Sequence, residues 1–432
     1  MGAKIQNIDK FKLDGAGGLD DFLSNNIISA IVSEGEIINA GDLVALIDGN
    51  NKASKNYIDG NIDLGNAYVI ANEVPDIVRA VKLTDNTVFI AYVVAGTGKA
   101  VIATISGNSI SFGSIYTFDT TIAKDYPSLT VEKISSSQVV VVYTKGSSAV
   151  YARVATVTGT TISFGSVNSC ATTRAVCVLD SALLTPSSII IVYDSGNYGV
   201  LYYRAGTISG NTITFGSEYS ISARQGFVAA ISSTQAILCY DGGCCILTVS
   251  GTTISTGSAT SLRINSDESS SYPINVIYLG SSLALVSLGY SSLSVLRTVL
   301  VTTSNPPTIN HWLHDGNPIG MLDKINDYMG MSLNTSNILR LFTIDNINKK
   351  MSVKAYNIPS ITLRWHGWIW VQDAFVVMSI IDNICKNIAI YADAANSNYI
   401  TARIFNIIGK HYSGVALNSG TAGQTIQIQL FK

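Results

Sequence analysis

Charge is what this chain has least of. Lys, Arg, Asp and Glu make up 13% of its 432 residues, roughly half the usual share in a globular protein. The 27 basic and 29 acidic residues nearly cancel and form no block of either sign. A nucleic-acid surface leaves a basic stripe, so no nucleic-acid partner is expected. Long hydrophobic runs are also missing. Val139–Tyr143 and Ala374–Ile381 are strand-sized and fall well short of the ~18 residues that cross a bilayer, so no membrane insertion is expected. Met1–Asp20 lacks the charged-then-apolar order of a secretory signal. Six cysteines form no C-x-x-C pair, which removes the zinc and thioredoxin-like readings. Cys239 and Cys245 fall inside apolar strand patterns, where cysteine acts as a small hydrophobe. Free, mostly buried thiols are expected, as in a protein folded in a reducing cytoplasm.

What is abundant is apolar content, at 47%, together with 36 glycines. The polar surface must then come from Ser, Thr and Asn, a mixture common in all-β proteins. A ten-residue phrase recurs. It reads I-S-G-N-S-I-S-F-G-S at Ile105–Ser114 and V-T-G-T-T-I-S-F-G-S at Val157–Ser166. It returns as I-S-G-N-T-I-T-F-G-S at Ile208–Ser217 and V-S-G-T-T-I-S-T-G-S at Val249–Ser258. Such self-similarity means one supersecondary unit copied many times.

A second register extends the repeat. An apolar strand ending in an aromatic precedes each phrase: Val88–Tyr92, Val139–Tyr143, Ile189–Tyr193 and Ala236–Tyr240. Weaker copies are Leu283–Ser287, Ile338–Phe342 and Asn387–Tyr391. The steps between their last residues are 51, 50, 47, 47, 55 and 49. Seven units follow. In the first unit Ile77–Leu83, Val88–Val94, Ala100–Ile105 and Ile110–Phe118 read as four antiparallel strands, with Gly and Asn supplying the hairpin turns. Seven four-stranded units predict an all-β fold, a β-propeller of about seven blades. Asp59–Gly65 looks like a shortened phrase with no full unit before it, while the last unit lacks the phrase. Ile62–Ile70 is therefore expected to supply the outer strand of the last blade, closing the ring and removing an open edge.

Outside the ring, Gly35–Gly49 reads as two short strands and Ser413–Phe431 as a hairpin turning at Asn418–Gln424. Neither is stable alone. One small split β base domain, residues 35–58 with 409–432, is expected to carry a propeller over 59–408. Residues 1–34 are expected to form an N-terminal arm for assembly contacts, in which Asp20–Ser33 reads as a short helix or strand that packs on this base or on a neighbouring subunit.

On the S-G-x-x-I-x-F-G-S phrase, the A-G-D-L-V-A-L segment and the closing G-V-A-L-N-S-G-T-A-G-Q-T-I-Q-I-Q-L, residues 35–432 resemble a family of tailed-bacteriophage virion proteins. The resemblance implies a small β-domain that anchors an outward-facing propeller. It also implies a structural, host-recognising role, location in a virion assembled in the host cytoplasm, and other virion proteins as partners. Symmetric homo-oligomers are expected for such appendages. The other reading is a stand-alone lectin-like binding module.

Enzymatic propeller signatures are absent: there is no S-x-D-x-G-x-x-W box, W-D signature or kelch diglycine pattern. No catalytic residue, metal or cofactor is expected. Asp59–Asp63 has the start of a calcium-loop spacing, but Leu64 and Ile70 stand where an EF-hand needs Gly and Glu, so it reads as a turn. Gly15–Gly18 lacks the flanks of a phosphate loop. The strongest local bias is aromatic. Trp312, Trp365, Trp368 and Trp370 are the only four tryptophans. His314, Arg364 and His366 lie among them. Flat rings beside hydrogen-bonding groups suit a sugar, and these seven residues are the candidate glycan-binding set. The competing reading is that the rings fill gaps between the fifth and sixth units, whose repeats are the most degenerate.

Overall fold

The computed structural model describes residues 27–32, 37–38, 43–47, 52–54, 61–123, 128–146, 149–171, 179–194, 199–262, 271–280, 282–290, 295–313, 329–333, 338–345, 350–357, 362–370, 374–379, 386–393, 397–408, 412–416, 420–421 and 425–430. Side chains are described chiefly within 65–309 and 388–404. Every regular element among the described residues is a β-strand. The chain divides into two compact units, residues 64–352 with 369–406, and residues 1–63 with 353–368 and 407–432.

Among the described residues the repeats form seven sheets of four or five strands, antiparallel wherever the register is given. In the first, Ile77–Thr84, Thr87–Val94 and Thr97–Ser106 pair in turn. The second strand explains the architecture. Val88, Phe89, Ile90, Ala91, Tyr92 and Val93 are all fully buried, which requires a neighbour on each face. Its alternate residues divide between two cores. Phe89, Ala91 and Val93 pack with Leu129, Val139 and Val141 of the second sheet. Val88, Ile90 and Tyr92 pack with Ile388, Ile390, Ile400 and Ile404 of the last sheet. Further cores join the second sheet to the third, the third to the fourth and the fourth to the fifth. Each fully buried Val, Ile or Phe contributes about 1.5–3 kcal/mol.

The first strands also follow one another. Ile77–Thr84 packs against Leu129–Ser135, and the series continues through Leu179–Thr185, Gly226–Ala230, Ser271–Gly280, Met329–Leu333 and Ala374–Ser379. The last of these packs against Ile77–Thr84 again. This is a propeller-like arrangement of antiparallel sheets. In the last sheet the order is Ala374–Ser379, Lys386–Asp393, Tyr399–Ile408 and then Asn61–Ala71.

One expectation needs correction. Ile110–Phe118 is not a single strand. Ser109–Phe112 and Tyr116–Asp119 are separate, and both pair with Thr97–Ser106. The break falls on Gly113–Ile115, at the end of the phrase, and its glycine shows why. A Cβ on Gly113 would lie 2.6 Å from the Thr160 carbonyl oxygen, and Gly165, Gly216 and Gly257 stand just as hard against Asn211, Thr252 and Asn305. Thr160, Asn211 and Thr252 each follow the left-handed glycine of the next phrase, Gly159 (φ 60°), Gly210 (φ 56°) and Gly251 (φ 61°). The first glycine of the phrase thus makes a hairpin turn. The second is the socket that receives the next sheet's turn.

The chain ends make a closed five-stranded barrel from Ile27–Val32, Thr425–Leu430, Tyr412–Ala416, Leu43–Ile47 and Lys52–Ser54. Ile37–Ile38 pairs separately with Gly420–Thr421. The barrel takes in Ile27–Val32, which the sequence assigned to the arm. This strand pairs with Lys52–Ser54 and with Thr425–Leu430 at the far end of the chain, where no local pattern announces it.

Candidate functional site

Trp312 lies on the strand Ile309–Leu313, opposite Val299 in the fifth sheet. Arg364, Trp365, His366, Trp368 and Trp370 lie on one continuous strand, Thr362–Trp370, at the end of the sixth sheet. Because Gly367 does not interrupt it, Arg364, His366, Trp368 and Trp370 fall on one alternate set of positions and Trp365 on the other. The tryptophans therefore come from two sheets and both alternations. Their side chains, and His314 entirely, lie outside the described residues. So do Gly15–Gly18, Asp59–Gly60, Cys177 and Cys385.

Most polar groups set into the sheets join strands. The Tyr143 hydroxyl donates to Asp119 Oδ2 at 2.6 Å, Tyr193 to Glu218 at 2.6 Å and Tyr92 to Glu73 at 3.4 Å. Burial and the facing carboxylates keep these phenols protonated well above the ordinary range. Arg153 donates to the carbonyl oxygens of Gly165 (3.0 and 2.8 Å) and Phe118, and its guanidinium stands 5.3 Å from the Phe164 ring centre. Arg204 repeats this one sheet on, with Gly216, Cys170 and Phe215. These repeated groups belong to the scaffold.

A different cluster lies on the first strands, where no repeat calls for it. Ser181 Oγ donates to Glu132 Oε1 at 3.1 Å and stands 3.2 Å from Thr130 Oγ1. Asp180 Oδ2 accepts the Val228 N–H at 2.9 Å. Thr130 and Glu132 belong to the second sheet, Asp180 and Ser181 to the third, and Val228 to the fourth. Burial raises the Glu132 carboxyl to about 8, with the neighbouring Asp180 charge adding to the rise and the Ser181 hydroxyl opposing it. Burial raises Asp180 to about 7, against the N–H groups of Val228 and Ser181 and the Arg79 guanidinium. Both carboxyls keep some solvent contact while protein surrounds them. The pair can hold or release a proton near neutrality. Ser181 is 4% exposed, which makes its hydroxyl a bridge rather than an accessible nucleophile. The sequence reading missed this cluster. The available signal was a carboxylate in each of two first strands, L-T-V-E-K and L-D-S-A-L.

Cys170, Cys239, Cys244 and Cys245 are free and buried. Among the described residues no group of three or more His, Cys, Asp or Glu side chains could hold a metal ion, and no helix is long and apolar enough to cross a membrane.

No protein-family profile matches the chain, and no curated protein matches it in sequence. Solved structures resemble it. A protein from Lactobacillus plantarum is 9% identical over 68% of this chain and 88% of its own, with a TM-score of 0.49. A prolyl endopeptidase is 9% identical over 79% of this chain, which spans 47% of the endopeptidase, with a TM-score of 0.45. A fucose-specific lectin from Aleuria aurantia is 11% identical over 73% of this chain and 96% of its own, with a TM-score of 0.42. These likenesses indicate no phage or virion family. Among the described residues the chain is all-β, with antiparallel sheets of four or five strands in a propeller-like arrangement.

Proposed function

We propose that this chain is a non-enzymatic recognition protein of a bacteriophage or phage-tail-like particle. In this reading seven sheets form a closed seven-bladed propeller, with Asn61–Ala71 as the closing strand. The barrel made by the two chain ends is the mount, and the propeller is displayed for contact with a host-surface glycan. The observation that carries the reading is the division of labour along the chain. Strands from both ends make one closed barrel, and residues 64–352 with 369–406 form a second compact unit. A barrel drawn from strands near both ends of the chain suits attachment to other virion proteins and repetition as a homo-oligomer. The low-charge Ser, Thr and Asn surface and the engagement of repeated polar groups in the scaffold agree with binding rather than catalysis.

The test is binding of the full chain to an array of bacterial surface glycans, beside the Trp368→Ala variant. The expected result is selective binding by the parent and roughly tenfold weaker binding by the variant, which is about 1.4 kcal/mol. Absence of binding by the parent, or equal binding by both, contradicts the glycan reading. Recovery of the gene beside tail, capsid or portal genes supports the particle role; neighbours of other kinds favour a stand-alone lectin-like module.

A further inference from the structure

We propose that Cys239 and Cys244 are a latent cross-strand disulfide site, held as two thiols in reducing surroundings and closed into a covalent link across the fourth sheet in oxidising ones.

The register sets the pair. Gln235–Tyr240 and Gly243–Ser250 run antiparallel without a shift, and Cys239 lies opposite Cys244. The Val249 N–H donates to the Thr234 carbonyl oxygen at 2.8 Å, so those two residues are a hydrogen-bonded pair. Hydrogen-bonded and open pairs alternate along an antiparallel ladder. Cys239 and Cys244 stand an odd number of steps away and are an open pair. Open pairs are the closer kind, with Cα atoms about 4.5 Å apart, inside the roughly 4.4–6.8 Å that a disulfide spans. The side chains already meet, since a hydrogen bond joins the Cys239 thiol to Cys244. The strands need not move for the link to close.

The sheet also selects the partner. Cys239 and Cys244 are fully buried in the core shared by the fourth and fifth sheets, with Ile237, Ile246 and Val286. Cys245 falls on the other alternation, in the core shared with the third sheet. Cys170 belongs to the core between the second and third sheets. No other described cysteine shares a core with this pair.

The link closes over the turn Asp241–Gly242, with Gly242 at φ 80°. The Asp241 N–H donates to the Arg224 carbonyl oxygen at 3.0 Å, and the Leu262 N–H donates to that of Gly242 at 3.1 Å. Arg224 leads into the first strand of the sheet, and Leu262 follows its last. The covalent bond therefore braces the turn on which both ends of the sheet are fastened.

The oxidant is a small-molecule disulfide, for which oxidised glutathione is the probe. One cysteine thiolate attacks a glutathione sulfur, and one glutathione leaves as a thiolate and takes up a proton. The second cysteine thiolate then displaces the other glutathione. Two cysteine thiols lose two protons and two electrons, and one glutathione disulfide becomes two thiols. Burial and the neighbouring thiols keep Cys239 protonated well above the ordinary range, whereas thiolate is the attacking form. Exchange therefore proceeds while the chain folds or when this hairpin opens, and the native dithiol reacts slowly. A chain that passes from a reducing to an oxidising compartment gains the link wherever it acts.

The experiment is refolding of the full chain from urea, once in a mixture of oxidised and reduced glutathione and once in dithiothreitol. Each product is unfolded, alkylated and digested with trypsin. Cys239, Cys244 and Cys245 share the tryptic peptide Gln225–Arg263. After oxidative refolding that peptide is expected to be two hydrogens lighter and to carry a single alkyl group, on Cys245. Dithiothreitol should restore three alkyl groups, and Cys245→Ser should form the same link. Circular dichroism should match in both forms, while hydrogen exchange of residues 235–248 slows roughly tenfold in the oxidised one. Three free thiols after oxidative refolding, glutathione retained on a cysteine, or a bond to Cys245 would each overturn the assignment. A link that costs the native circular dichroism, or leaves exchange unchanged, would overturn it as well.

Discussion

A Cβ built on Gly165 would stand against the carbonyl oxygen of Asn211 in the next sheet, whereas one built on Gly159 would meet nothing within 4 Å. The two glycines of one phrase are thus required for different reasons, close approach and a positive φ. Gly165→Ala should cost about 1–3 kcal/mol by forcing two sheets apart. Gly159→Ala should cost about 1 kcal/mol through backbone strain alone. Urea titration of both variants separates the cases. The thiols give a second residue-scale prediction. Burial pushes Cys170 and Cys245 up to about 12 and Cys239 well above its ordinary value. Thiolate is the reactive form, so these three should resist an aromatic disulfide reagent in the native chain and react once it is unfolded. Native labelling at Cys239 would contradict the packing described. Repetition made the glycines visible in the sequence, although not which was turn and which socket. Glu132 and Asp180 stayed hidden because each occurs once, and a repeat search is blind to what breaks the repeat.

At the scale of the element, the second strands were the most legible part of the chain. Val139–Tyr143 is apolar at every position because it is covered on both faces, and a run of that kind needs no partner to be recognised. The outer strands were less so. Two short strands around F-G-S carry the same alternation as one long strand, and the break is imposed by the neighbouring sheet. The contact of Asp119 with Tyr143 and Lys145, at 2.6 and 2.7 Å, ties the first sheet's outer edge to the second sheet. Tyr143→Phe should lose about 1.5 kcal/mol, the worth of a hydrogen bond to a charged acceptor. Burial raises Asp119, but Lys145, Tyr143 and the Thr120 N–H outweigh it and hold the carboxyl below 3.8. This stabilisation is present above the ordinary carboxyl value and is lost as pH falls through the lowered one. Acid unfolding below pH 4 should therefore begin at a higher pH in Lys145→Met than in the parent.

For the whole molecule, antiparallel sheets in a propeller-like order could be read because each leaves a local trace, a periodic strand followed by a hairpin. The barrel's first strand could be read only as a helix or strand packing on the base or on a neighbouring subunit, since the pairing of Ile27–Val32 with Thr425–Leu430 and Lys52–Ser54 leaves no local trace. The tryptophan-rich strand was legible as a strand, and its continuity through Gly367 divides its rings between two alternations. The recognition reading stands on a ring closed by a strand from the N-terminal side. Asn61–Ala71 lies beside Tyr399–Ile408 in the last sheet, and a Cβ on Gly65 would stand 2.8 Å from the Ile404 carbonyl oxygen. Hydrogen exchange of the unmodified chain, read by mass spectrometry on peptides covering these two strands, tests that closure most directly. Protection of residues 61–71 on the same timescale as residues 399–408 is the predicted result. Exchange of 61–71 within seconds while 399–408 stays protected would mean an open edge, and would contradict the closed ring.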